Sequence, residues 1–155
     1  MPTRREKPIG AAPLAAVVAP AGYAYFEHTA DVGIRAWGAT LDEAFANAAR
    51  GLVAQMVDVE HARAVGEARL EVEAESLERL LFAFLDEVLD LFYTRLWVIV
   101  EAEVRLEGET RLVATLRGEA YDAARHGHVH EIKAMTYHGL EVRRDPPDVR
   151  VIVDI

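Results

Sequence analysis

The sequence predicts an α+β fold in which a largely antiparallel β-sheet packs with two main helices. Two segments carry apolar residues at the spacing of a helix, and roughly seven others alternate between apolar and polar residues as strands do. These segments do not follow the strand–helix–strand order of a parallel sheet. A length of 155 residues, 52% of them hydrophobic, fits one domain with a sizeable core.

The first part of the pattern, from about Tyr23, predicts two strands and a helix. Residues 23–27 form a short aromatic strand, and residues 32–37 alternate as a second strand. The sequence Thr40-Leu41-Asp42-Glu43 is a capping box, in which Thr40 is the N-cap and Glu43 is expected to reach back to its amide. The helix that follows has one core face, made of Leu41, Phe45, Ala48, Leu52 and Met56.

A strand over residues 67–75 leads into the second helix, which Ser76 caps. This helix is the more hydrophobic of the two, and we expect it to be the central one. Its apolar positions follow helical spacing and are Leu77, Leu80, Leu81, Phe84, Leu85, Val88 and Leu91.

The remaining strands are predicted from alternation and turn residues. Residues 96–106 and 111–120 form a hairpin with its turn at 107–109. Residues 131–142 are predicted to be extended, and Pro146-Pro147 introduces a last strand over residues 149–155.

The first 22 residues lie outside this pattern, and we expect them to form a flexible extension of a domain over residues 23–155. Three basic residues near the start precede an alanine-rich stretch, as in a signal peptide, but two prolines interrupt that stretch. It is also too short to span a bilayer. We therefore expect a cytoplasmic protein with no membrane partner.

The charge balance narrows the range of partners. The chain has 17 basic and 26 acidic side chains, a net charge of −9, and residues 23–155 alone have 14 against 25, a net charge of −11. Such a surface repels phosphate backbones, so stable nucleic-acid binding is disfavoured, while cations and basic protein surfaces are favoured. The absence of cysteine excludes disulfide scaffolds, thiol catalysis and iron–sulfur clusters.

Two segments that contain aspartate could together bind a cation. One is His28-Thr29-Ala30-Asp31, and the other is the end of the last strand, where Ile155 shares the apolar face and Asp154 lies on the opposite face. Oxygens from Asp31, Asp154 and the main-chain carboxylate at Ile155 would make a site for Ca²⁺, Mg²⁺ or Mn²⁺. Taken alone, the first segment also fits an edge turn, and Asp154 also fits an exposed, solubilising residue.

Lys133 is a third candidate, because the chain has only one other lysine, Lys7, against 15 arginines. A chain that otherwise uses arginine can retain a lysine where a compact ammonium group is needed, although a lone lysine also arises by chance.

The fourth candidate is the alternating set His126, His128 and His130. On a strand these side chains would point the same way and could bind Zn²⁺, Ni²⁺ or a catalytic iron, whereas Gly127 favours a loop in which they are simply solvated. The sequence has no P-loop, dinucleotide-binding fingerprint or nucleophile elbow. A non-enzymatic protein and a metal-dependent enzyme that uses these histidines both remain open.

Four segments, in this order, resemble the archease family. They are Tyr25-Phe26-Glu27-His28-Thr29-Ala30-Asp31, Thr40-x-x-Glu43-Ala44-Phe45, Glu131-Ile132-Lys133-Ala134-Met135-Thr136-Tyr137-His138 and Val153-Asp154-Ile155. The resemblance runs from about Tyr23 to Ile155 and leaves out only the first 22 residues.

The resemblance implies an archease-like fold and a non-enzymatic activator of the RtcB-type RNA ligase, which uses GTP and Mn²⁺ to join RNA ends in tRNA splicing and RNA repair. The activator promotes guanylylation of the ligase and allows multiple turnover. The resemblance also implies a divalent cation, Ca²⁺ in the family with Mg²⁺ or Mn²⁺ as alternatives, at Asp31, Asp154 and Ile155. Roles in ligase activation would fall to His28, Glu43 and Lys133, although Glu43 also has its capping role. A further possibility is chaperone-like modulation of a tRNA methyltransferase.

Overall fold

The structure, a computed structural model, describes residues 20–28 and 31–155, without the side chains of Glu27 and His28. Its described part contains eight strands, two long helices and one short helix. In order they are β1 (Gly22–His28), β2 (Asp31–Trp37), α1 (Leu41–Met56), β3 (Gly66–Glu73), α2 (Leu77–Arg95), β4 (Trp97–Glu107), β5 (Arg111–Ala120), α3 (Ala123–His126), β6 (Ala134–Met135), β7 (Glu141–Arg144) and β8 (Pro147–Asp154).

The strands form two antiparallel sheets, so the predicted α+β class with antiparallel pairing is confirmed. In the first sheet the order is β1-β2-β8-β6, and β7 pairs with another part of β8. In the second sheet the order is β3-β5-β4. Within the described residues no helix has both the length and the apolarity needed to cross a bilayer.

Helix α1 joins the two sheets, because it packs on β2 and β8 of the first and on β4 of the second. Its side chains are buried along most of its length, with Phe45, Leu52 and Met56 fully inaccessible. The expectation that the second helix is the central one was therefore wrong. Helix α2 buries one face, which includes Leu80, Phe84 and Val88, and leaves the other in solvent.

Both long helices begin at the predicted N-caps. The Thr40 hydroxyl accepts a hydrogen bond from the Glu43 amide at 3.1 Å, and the Ser76 hydroxyl accepts one from the Arg79 amide at 3.2 Å. The Glu43 carboxylate accepts from the amide of Ala39 at 2.6 Å, one residue before the expected Thr40. The capping box thus closes around the residue that precedes the N-cap.

The chain after β5 departs most from the prediction. The stretch 131–142 is not continuously extended: β6 has two residues, and a turn at Gly139, with φ at +62°, separates it from β7. Strand β8 begins at Pro147 and ends at Asp154, and Ile155 is 41% exposed, so Ile155 does not lie on the buried face. Residues 1–19 of the expected extension lie outside the described residues, and Gly22 already belongs to β1.

A buried charged cluster anchors the chain around α3. Glu119 is 3% exposed, and its carboxylate accepts hydrogen bonds from the Arg63 amide at 3.0 Å and the Arg125 guanidinium at 3.0 Å. His126 is fully buried, with Nε2 at 2.9 Å from Glu119 and Nδ1 accepting from the Asp122 amide at 2.8 Å. Because Nδ1 is an acceptor, the neutral ring carries its proton on Nε2 and donates it to Glu119.

The same cluster controls the charge of Glu119. Burial opposes ionisation of this carboxyl group, but the hydrogen bonds from Arg63, Arg125 and His126 outweigh burial and lower its pKa to about 2. Glu119 is therefore an ionised carboxylate inside the protein at neutral pH.

Glu119→Gln is expected to lower the free energy of unfolding at neutral pH by up to about 3 kcal/mol, because it removes an ionised form that the fold stabilises. A folded-state pKa of about 2 lies below the usual 4.5, so this contribution is present above pH 4.5 and is lost as the pH falls towards 2. Urea unfolding of both proteins at neutral pH and at a pH of about 3 measures the difference.

The matched control is Glu103→Gln, which removes an exposed carboxylate that also pairs with an arginine, Arg117 at 3.4 Å. We expect it to cost less than about 1 kcal/mol. If Glu119→Gln lowered the free energy of unfolding equally at both pH values, the ionised form of Glu119 would not be what stabilises the fold.

Candidate functional site

The pairing of β2 with β8 brings two predicted site residues together. Asp31, the first residue of β2, lies directly opposite Asp154, the last residue of β8. Directly opposed residues of antiparallel strands have Cα atoms about 4.5–5.5 Å apart, so the two carboxylates are neighbours although they lie at opposite ends of the domain sequence. Both residues are partly exposed. We call them the acidic pair.

Lys133 lies beside the acidic pair. Its main-chain amide donates a hydrogen bond to the Asp154 carbonyl oxygen at 2.7 Å, and the next residue, Ala134, pairs with Asp154 in β6. The Lys133 side chain is exposed. Asp154 is thus held between Asp31 on one side and the start of β6 on the other.

His28 and Ile155 flank this position. The main chain of His28 pairs with Asp31 at the end of the β1–β2 ladder, and its side chain is outside the described part of the structure, as are residues 29–30. Ile155 follows Asp154 directly and is exposed. The main-chain oxygens of Ile155 are therefore one residue away from the acidic pair.

Glu43 does not lie with these residues. It follows the other end of β2, beyond Trp37, and a strand of this length separates it from Asp31 by about 20 Å. Its carboxylate is bound to the amide of Ala39. The structure therefore supports the capping role of Glu43 and separates it from the acidic pair.

The alternating histidines are not gathered into a site. Both ring nitrogens of His126 already have partners in the protein, and His128 is exposed. The main chain of His130 donates to the Met56 carbonyl, which ties this loop to the end of α1. Among residues 20–28 and 31–155, no three His, Cys, Asp or Glu side chains are grouped so as to hold a metal ion.

One residue near the site, Tyr93, is not predicted from the sequence. The Tyr93 hydroxyl donates to the Ile132 carbonyl at 3.1 Å and accepts from the Ile132 amide at 3.0 Å, next to Lys133. Burial and the charge of Glu131 raise the pKa of Tyr93, against the effect of the Ile132 hydrogen bond, so the hydroxyl keeps its proton at neutral pH. Tyr93 lies off the apolar stripe of α2, and no spacing in the sequence links it to Ile132.

Comparison with known proteins places this geometry in a family. A model of the Archease protein family matches residues 23–155. The protein archease of Pyrobaculum neutrophilum is 42% identical over 147 residues, which cover 88% of this chain and 97% of that protein. The protein archease of Ictalurus punctatus is 36% identical over 138 residues, covering 86% of this chain and 85% of that protein.

Solved structures agree with these matches. The solution structure of protein 1598 of Methanobacterium thermoautotrophicum is 30% identical with a TM-score of 0.75, covering 86% of this chain and 99% of that one. The crystal structure of an archease, described as a possible chaperone, from Thermotoga maritima shares the fold, with a TM-score of 0.55 at 23% identity over 84% of this chain and 94% of that one. Because the family model and close relatives span nearly the whole described part, this chain belongs to the archease family.

Proposed function

We propose that this chain is a non-enzymatic activator of an RtcB-type RNA ligase in the cytoplasm, promoting guanylylation of the ligase and its multiple turnover in tRNA splicing and RNA repair. The observation that carries the proposal is the placement of Asp31 opposite Asp154, with Lys133 bonded to Asp154 through its main chain. These are the residues for which the resemblance implies a role in metal binding and activation.

A protein partner suits both the family and the charge of the chain. The relative from Thermotoga maritima is described as a possible chaperone, and a chaperone acts on another protein. The net charge of −11 over residues 23–155 favours a basic surface, such as the cleft in which a ligase binds GTP and RNA. The same charge disfavours stable binding of RNA by this chain alone.

The acidic pair fits a hard divalent cation, for which we propose Ca²⁺, with Mg²⁺ or Mn²⁺ as alternatives. Carboxylate oxygens are the donors that these ions prefer, and two like charges directly opposite in a sheet repel one another unless a cation lies between them. Asp31 and Asp154 would hold the ion, a main-chain oxygen of Ile155 would be a further donor, and water would complete the set. A bound cation would neutralise both carboxylates and hold the ends of β2 and β8 together.

Calcium is expected to stabilise the purified protein through Asp31. At a concentration about 100 times the dissociation constant, a ligand adds about 2.7 kcal/mol to the free energy of unfolding. Asp31→Asn should abolish this gain, because it removes one of the two carboxylates that would hold the ion. Thermal unfolding with and without Ca²⁺ measures both effects.

Asp86→Asn, at an exposed position on α2, provides the matched control and should retain the full response to Ca²⁺. If Asp31→Asn responded to Ca²⁺ as the original protein does, the acidic pair would not be the cation site.

Activation of the ligase is expected to depend on Lys133. A stoichiometric amount of this chain should accelerate guanylylation of its cognate ligase, and Lys133→Ala should reduce that acceleration at least about tenfold, the effect of losing one charge-assisted hydrogen bond. Lys133→Arg should restore it only in part, because a planar guanidinium does not replace a compact ammonium group. The covalent ligase–GMP adduct is measured over time.

Arg144→Ala is the control, since Arg144 is an exposed cation on β7 that pairs with Glu109. It should leave activation unchanged. A ligase that reacts equally fast with and without this chain would refute the proposed function. A changed activity of a tRNA methyltransferase in the presence of this chain would then favour the chaperone-like alternative.

A further inference from the structure

Helix α2 contacts the segment 132–137 at two places, one near each end of the segment. Near the end of the helix, the Tyr93 hydroxyl bonds both the amide and the carbonyl of Ile132. Near its start, the Phe82 ring stacks on the Tyr137 ring with centroids 3.9 Å apart and planes within 6° of each other. The Arg79 guanidinium lies 5.5 Å from the Tyr137 ring.

The two contacts match the geometry of an extended segment that runs antiparallel along the helix. Positions 82 and 93 are eleven residues apart in α2, which corresponds to about 16 Å of helix. Residues 132 and 137 are five apart, which corresponds to about 16 Å of extended chain. The segment therefore lies along α2 and is attached at both ends.

Two apolar side chains anchor the segment in the core. Ile132 and Met135 are buried at 1% and 6% exposure, whereas Lys133, Ala134 and Tyr137 are exposed. Because Lys133 itself is exposed, its position depends on the hydrogen bonds of the main chain around it. The Ile132 main chain is attached to Tyr93, and the next amide, that of Lys133, is bonded to the Asp154 carbonyl at 2.7 Å.

We propose that Tyr93 is a positioning residue that, through Ile132, fixes Lys133 against Asp154. This role rests on the proposed function of Lys133, and Tyr93 itself need not touch the ligase. The Tyr93 hydroxyl bonds the peptide groups on both sides of Ile132. The second of these groups, between Ile132 and Lys133, also carries the Lys133 amide that donates to Asp154, so it is held at both its oxygen and its nitrogen. The Phe82–Tyr137 stack supports the far end of the same segment through its rings.

Tyr93→Phe and Tyr137→Phe each remove one hydroxyl group. Comparing them separates the positioning role of Tyr93 from a general loss of stability. Tyr93→Phe keeps the ring and removes both hydrogen bonds to Ile132. Tyr137→Phe is the matched control, because the Tyr137 ring is stacked while its hydroxyl makes no hydrogen bond within the described part of the chain. Tyr137→Ala, in contrast, removes the stack.

The first measurement is amide hydrogen exchange in the full chain. In Tyr93→Phe the Lys133 amide, whose own acceptor is Asp154, should exchange about tenfold faster, while the amides of the β3-β5-β4 sheet remain protected. Tyr137→Phe should leave the Lys133 amide unchanged, and Tyr137→Ala should speed its exchange. Unchanged exchange of the Lys133 amide in Tyr93→Phe would overturn the proposal.

The second measurement is guanylylation of the cognate ligase with saturating amounts of each variant. Tyr93→Phe should lower the maximal acceleration severalfold, and it should cause no further loss in a Lys133→Ala background, because it acts through Lys133. A further loss of equal size in that background would overturn the proposal. If the original chain fails to activate the ligase, the proposed function fails, and hydrogen exchange at Lys133 still decides whether Tyr93 positions it.

Discussion

The register between β2 and β8 is the constraint on which the rest of the site depends. Because side chains alternate across a strand, a shift of one residue would move Asp31 and Asp154 out of register and turn one of them to the other face of the sheet. The apolar residues of both strands, such as Ile34 and Val151, are buried on the α1 side and therefore select one register. The core thus determines which carboxylates meet at the surface.

An ion pair reinforces the same register. Arg35 donates from Nε and Nη2 to one oxygen of Asp148 at 2.9 and 2.7 Å, across the β2–β8 ladder and on the face that carries the acidic pair. The Asp148 side chain is 7% accessible, so breaking the pair would leave a charge in a poorly solvated position. A shifted register would lose this ion pair together with the apolar contacts. The ion pair therefore favours the observed register over shifted ones.

The sequence predicted local features well and long-range pairing poorly. Helical spacing and caps at Thr40 and Ser76 depend on residues within one turn, and both helices were found where expected. The alternation of apolar and polar residues shows which face of a strand is buried but not which strand lies beside it. The division into two sheets and the central place of α1 could therefore not be predicted from the sequence. At the site, the resemblance pointed to Asp31, Asp154 and Lys133. Their spatial relation depends on pairings such as β2–β8, for which no local pattern exists.

The late position of β8 in the chain has a consequence for the order of folding. Strand β2 hydrogen-bonds to β8, and the Arg35–Asp148 contact spans 113 residues, whereas the β4–β5 hairpin needs only its own turn. During synthesis on the ribosome, one edge of β2 stays unpaired until β8 has been synthesised. An unpaired strand edge is prone to pair with other chains. The second sheet should therefore form first, and the surface that carries Asp31 and Asp154 should be completed after it.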